Sequence, residues 1–180
     1  GEILAMANRP AFDPNNIQDY SMDARRNRTI TDMFEPGSVF KIITASAVLN
    51  EKVVDLEDDF FCENGEFKIF NHTLHDHVPH GHLKFREVIE KSSNIGTVKA
   101  AMRLGPERLY RYAKLYGVGS KTNVELPGEI AGFIRTPRLW SKLSMKAIPM
   151  GQEVTVTVLQ LACAVSAIAN NGILMKPRII

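Results

Sequence analysis

Apolar and polar residues change rhythm several times along this chain, and each change marks an element. From Pro36 to Asn50 (PGSVFKIITASAVLN) a Pro-Gly-Ser start is followed by residues that are apolar nearly all round. That pattern predicts a buried helix with Ser38 at or near its N-cap or first turn. Thr155–Asn171 predicts a second strongly apolar helix, ended by Asn170-Asn171-Gly172. Lys84–Lys91 and Thr97–Leu104 read as helices separated by a Ser-Ser-Asn-Ile-Gly break, and Pro106–Tyr116 as another, with Gly105 before it and Gly117 behind. Gly1–Ala7 reads as a strand, Asn64-Gly65 as the turn of a hairpin, and Gly117–Arg135 as loop with short extended pieces.

The 180 residues fit one domain and are enough to bury a core; 44% are apolar and 23% charged, as in an ordinary globular protein. A formal charge of +2 gives no push toward nucleic acid, and none is expected as a partner. Two cysteines, Cys62 and Cys163, do not make a disulfide framework, and two free, buried thiols are the expectation. No stretch is long and apolar enough to span a membrane, and no signal peptide opens the chain. Because Gly1 already stands inside a strand pattern, the chain is expected to be part of a longer protein.

Chemistry enters with a lysine inside a helix that should be buried. Ser38 and Lys41 are three apart and share a helical face. Burial disfavours the ammonium, and a lysine neutral near pH 7 can take the proton of a neighbouring hydroxyl. The bare Ser-x-x-Lys spacing is weak, since it arises by chance and a lysine at a helix edge commonly snorkels to water. What raises it here is the apolar surround, which leaves Lys41 few ways out. Ser92 and Asn94, two apart in a bend, can point together into a cleft, Ser92 to relay a proton, Asn94 to hold a carbonyl and orient Lys41. A plain capping turn would use the same residues.

Together, EPGSVFK and KSSNIG match in order the Ser-x-x-Lys and Ser-Asp-Asn signatures of penicillin-binding proteins and class A β-lactamases, with Ser93 in place of Asp. Over nearly its whole length the chain resembles class B penicillin-binding proteins, in FEPGSVFKIITASAVL, HGHLKFREVIEKSSNIGTVKAAMRLG, YGVGSKTNVELPGEIAG and MGQEVTVTVLQLACAVSAIANNG. The resemblance leans toward division-type members. It implies an α/β (α+β) transpeptidase fold shared with serine β-lactamases, of which this chain holds mostly the helical part with one or two strands. It further implies a D,D-transpeptidase that cross-links peptidoglycan stem peptides through an acyl-enzyme on Ser38 and is acylated there by β-lactams. Lys41, Ser92 and Asn94 complete the catalytic set; no cofactor and no metal are implied. The resemblance places the protein in the cytoplasmic (inner) membrane by an N-terminal anchor, its catalytic domain on the periplasmic side, with other cell-wall synthesis or division proteins as partners. A β-lactam sensor, a serine β-lactamase and a silent scaffold for division-protein contacts are the competing readings.

The family's third motif, Lys-Thr-Gly, is not found. Lys121-Thr122-Asn123 lacks the glycine that lets substrate approach a strand. The true motif is expected beyond Ile180, so that this chain alone exposes apolar surface and is inactive as a transpeptidase. His72, His75, His77, His80 and His82, with Asp76 among them, fit no zinc spacing. Arg135, Trp140 and Gln152 are candidate cleft residues without assigned roles.

Overall fold

The computed structural model of the chain describes residues 1–179. Its helices are α1 (Arg28–Thr31), α2 (Lys41–Asn50), α3 (Phe85–Glu90), α4 (Asn94–Leu104), α5 (Pro106–Leu115), α6 (Ser144–Ala147) and α7 (Val158–Ala169). Its strands are short: β1 (Asp59–Phe61), β2 (Glu66–Ile69), β3 (His72–His75), β4 (His82–Lys84), β5 (Phe133–Ile134) and β6 (Val154–Thr155). The helix-rich α/β expectation holds, although strand pairing is spread over more and shorter strands than expected. The chain forms two compact units.

One unit comprises Glu35–Leu115 and Ile134–Val154. Its centre is α2, on which Ile43, Ala47 and Val48 are buried, as is Phe40 in the 3-10 turn before it. Phe40, Ile43 and Val48 each contribute about 1.5–3 kcal/mol by leaving water. Small residues let α4 come close. A β-carbon on Gly96 would lie 2.5 Å from Val88 of α3, so nothing larger than glycine fits there without movement. The amphipathic α5 closes the group with Leu109, Tyr112 and Ala113.

Beside the helices, β1 pairs with β4 and β2 with β3, both antiparallel. The hairpin expected at Asn64-Gly65 does not form there. Glu63–Gly65 make a 3-10 turn, and the chain reverses at Phe70-Asn71, where Ile69 faces His72. Burial decides the register: it places Ile69 and Leu74 inside. Gly65, at φ +93°, lies so close to Pro79 that a β-carbon would sit 2.9 Å from it.

The other unit comprises Gly1–Phe34, Tyr116–Phe133 and the chain from Thr155 onward. Ile30, Val124 and Leu159 form its core, with Ile3, Leu126 and Cys163 against it. Helix α7 starts with a reciprocal cap. Gln160 N–H donates to Thr157 Oγ1 at 3.2 Å, and Thr157 N–H donates to Gln160 Oε1 at 2.8 Å. Its opposite face is open, with Val158 50%, Val165 44% and Ile168 43% exposed. Among the described residues, the strand expected over Gly1–Ala7 is reduced to a single parallel bridge between Glu2 and Arg178. Both thiols are free, Cys62 buried and Cys163 partly so, and burial pushes each thiol pKa upward. Among the described residues no helix is long and apolar enough to cross a membrane.

Candidate active site

Ser38 stands in the 3-10 turn Gly37–Phe40 that leads into α2, and Lys41 is the first residue of the α-helix proper. The turn is braced from below by the Ile148–Glu153 segment. Gly37 N–H donates to Gly151 O at 3.1 Å. Gly151, at φ +79°, has no room for a β-carbon, which would lie 2.2 Å from Gly37 O. Thr44 Oγ1 donates to Pro149 O at 2.9 Å and Glu153 N–H to Glu35 Oε1 at 2.9 Å. Ser38 itself is exposed, and its hydroxyl has no partner among the described residues.

Lys41 is only 2% exposed. Its Nζ donates to Ser92 O at 2.6 Å, Ser92 Oγ at 2.9 Å and Asn94 Oδ1 at 2.7 Å. Burial lowers its pKa to about 8, and the negative charge of Asp76 pulls upward against that. The structure thus brings together Lys41, Ser92 and Asn94, and sets Ser38 one helical turn from the amine.

Ser92 is held in a conformation that serine rarely takes. Helix α3 ends in a Schellman turn, in which Ser92 N–H donates to Ile89 O at 3.1 Å and Ser93 N–H to Val88 O at 2.9 Å. Ser92 fills the left-handed position of that turn at φ +54°, where glycine is the usual residue. A residue with a β-carbon costs about 1–2 kcal/mol in that region. Here the costly choice puts a hydroxyl beside Lys41.

Ser93 caps α4, its Oγ accepting from Gly96 N–H at 3.0 Å. The same hydroxyl donates to Asp76 Oδ2 at 2.7 Å, and Ile95 N–H donates to Asp76 Oδ1 at 3.0 Å. Asn94 Nδ2 donates to His75 O at 2.8 Å. The end of β3 therefore grips the bend from two consecutive residues. Asp76 is the residue of this bend that the sequence pattern conceals, because it groups with the histidines around it. The signal that singles it out is a carboxylate directly after the alternating strand residues of β3.

The remaining candidates make other contacts. Thr122 N–H at 2.6 Å and Asn123 N–H at 3.0 Å donate to the buried Glu129 carboxylate, so Lys121-Thr122-Asn123 is a loop wrapped on an acid. Arg135 pairs with Glu153 at 2.6 Å, and Trp140 Nε1 donates to Arg135 O at 2.8 Å. Gln152 is exposed. Among the described residues no hydrogen bond or ion pair joins these three to Lys41. The histidines disperse: His82 pairs with Asp59, and His75 faces Glu66 across the ladder at 3.8 Å. Among the described residues no three His, Cys, Asp or Glu side chains gather as a metal site.

A buried lysine bonded to the Ser and Asn of a Ser-x-Asn bend, one turn from an exposed serine, agrees with what comparison finds. Residues 1–180 match the family described as penicillin binding protein transpeptidase domain. The chain belongs to that family. It is 39% identical over 185 residues to penicillin-binding protein PbpB of Mycolicibacterium smegmatis, covering 100% of this chain and 28% of the relative. To the probable peptidoglycan D,D-transpeptidase PenA of Neisseria flavescens it is 37% identical, covering 97% of this chain and 43% of the relative. Penicillin-binding protein 3 of Mycobacterium tuberculosis, solved in complex with aztreonam, superposes with a TM-score of 0.80 at 38% identity, over 86% of this chain and 35% of that one. The chain thus spans less than half the length of these relatives, and the family expected from its motifs is the family found.

Proposed function

We propose that the chain carries the nucleophile and base of a serine D,D-transpeptidase that cross-links peptidoglycan stem peptides. The observation that carries the reading is Lys41, a buried amine with three acceptors around it and a pKa lowered to about 8. At pH 7 that makes about one amine in ten neutral, against roughly one in three thousand at the ordinary lysine value. Ser92 O and Asn94 Oδ1 can only accept, so a neutral Lys41 keeps both bonds and leaves its lone pair to its third partner, the Ser92 hydroxyl. The Ser92 hydroxyl both donates and accepts, which suits it to pass a proton on.

In this reading Ser38 Oγ attacks the carbonyl carbon of the D-Ala–D-Ala bond and Lys41 takes the hydroxyl proton. Free N–H groups at the helix start, that of Ser38 included, hold the oxyanion. Ser92 delivers the proton to the departing D-Ala amine. The acyl group then passes to an amine of a neighbouring stem, and a β-lactam acylates the same oxygen. A cross-linker of wall peptides works where the wall is, which supports anchoring of the whole protein in the cytoplasmic membrane with this domain outside.

The test is intact-mass spectrometry of the full-length protein after incubation with a β-lactam. One drug-sized adduct is expected, absent from Ser38→Ala, with an acylation rate that climbs as pH passes through about 8. No adduct, or an adduct that survives in Ser38→Ala, sinks the reading. Release of the drug within seconds would move it to a β-lactamase.

A further inference from the structure

We propose that Asp76 is a positioning residue for this chemistry: from the end of β3 it fixes the Ser92–Asn94 bend and supplies the negative charge that stabilises Lys41 once it has taken the proton. The inference rests on the reading of Ser38 and Lys41 given above. Its ground is geometric. Asp76 is 9% exposed, and both carboxylate oxygens are spent on the bend, one on Ser93 Oγ at 2.7 Å and one on Ile95 N–H at 3.0 Å. Its own N–H donates to Gly65 O at 3.1 Å, so the carboxylate is anchored in the β2–β3 hairpin and not only in the helix. A carboxylate at a helix N-terminus is favoured by the free N–H groups there. In the Ser-Asp-Asn form of the motif the acid is the middle residue; here the middle residue is Ser93, and an acid reaches it from another strand.

Charge on the surrounding elements is matched elsewhere. Lys99 of α4 pairs with Glu63 at 2.6 Å, Lys91 with Glu87 on α3 at 3.5 Å, and Arg108 and Arg111 of α5 with Glu51. His75 beside it is exposed and turned to Glu66. Cys62, whose Sγ lies 3.4 Å from Ser93 Oγ, is kept as the neutral thiol by burial. That leaves Asp76 as the acid whose field acts on Lys41. The proton that Lys41 takes from Ser38 creates a cation in a buried place, and a fixed negative charge lowers the cost of that step. The role parallels the aspartate behind the histidine of a serine protease, which orients the base and stabilises its charged form without taking the proton.

The experiment measures the rate of β-lactam acylation from pH 6 to 10 in the full-length protein, with intact mass as the readout. In Asp76→Asn the midpoint of the pH profile is expected to move down by about one unit, because the lysine loses the charge that favours its protonated form. The plateau is expected to fall about 10-fold as the bend loosens. Ser93→Ala cuts the link but keeps the charge, so its plateau falls while its midpoint stays. A midpoint unmoved in Asp76→Asn overturns the proposal, whatever the plateau does. Should Asp76→Asn fail to fold, Asp76→Glu decides: the charge is kept and displaced, and slower acylation at an unchanged midpoint is expected, whereas a wild-type rate overturns it. Lack of acylation in the wild-type protein would instead strike the Ser38 reading itself.

Discussion

The bend at Ser92–Asn94 and the loop at Lys121–Asn123 use one device for different ends. Each is a hydroxyl-and-asparagine segment tied down by a buried carboxylate, Asp76 in the first and Glu129 in the second. Each has a non-glycine residue in left-handed backbone, Ser92 at φ +54° and Asn123 at φ +60°. The second is cheap, since asparagine tolerates that region, while serine gains nothing local from it. The difference is what faces the segment. Ser92 and Asn94 meet a buried amine, whereas Lys121 is itself an exposed end of its loop. The first segment keeps strain against local preference opposite a buried amine, which fits the role proposed for it; the second shows neither.

The sharpest way to break the comparison is to remove the two lysines in turn. Lys41→Ala is expected to slow β-lactam acylation by about 10²–10⁴, the usual worth of a positioned base. Lys121→Ala should leave the rate unchanged. Stopped acylation time courses read by mass separate the two, and a similar loss from both would erase the distinction. Next in size, Glu129→Ala strands the N–H and O–H groups of Thr122 and the N–H of Asn123, a cost of about 2–4 kcal/mol in urea unfolding. Its acylation midpoint should stay where wild type has it, because the Glu129 carboxylate is spent on Thr122 and Asn123 and the charge acting on Lys41 is that of Asp76. The smallest effect is the most diagnostic. Ser92→Gly and Ser92→Ala both remove the hydroxyl and should slow acylation alike, yet the glycine variant should be more stable by about 1 kcal/mol, since it alone relieves the left-handed strain. Equal stabilities would mean that Ser92 stores no strain for its task.

Much of this site is legible in the amino-acid sequence alone. The apolar run around Lys41 requires a buried amine, and the Ser92–Asn94 break between two helical patterns requires a bend facing something. The helices themselves follow from pattern, with ends shifted by a few residues; α4 starts at Asn94 because Ser93 and Asp76 cap it, a partnership no local window contains. Asp76 is hidden for the same reason, as its partners lie 17 and 19 residues away. The hairpin turn falls elsewhere than expected because Asn64-Gly65 carries the better turn chemistry, but the pairing that buries Ile69 and Leu74 puts the reversal at Phe70, a residue with no liking for φ +54°. Tertiary burial overrides the local signal there. At Gly1–Ala7 the strand pattern is present, and among the described residues only one bridge partner meets it.

The contact of Gly151 with Gly37 has a consequence of its own. Two backbones touch there with no side chain between them, so the loop after α6 acts as a rigid wedge under the hydroxyl. Any residue other than glycine at position 151 would lift the turn and re-aim Ser38 without meeting whatever is bound above it. In the proposed chemistry, drug and natural substrate present their carbonyls to the same oxygen, so such a change would spoil both together. On that proposal, an inhibitor that engages the serine through this geometry is hard to evade from beneath: escape by that route would carry its own penalty in transpeptidation.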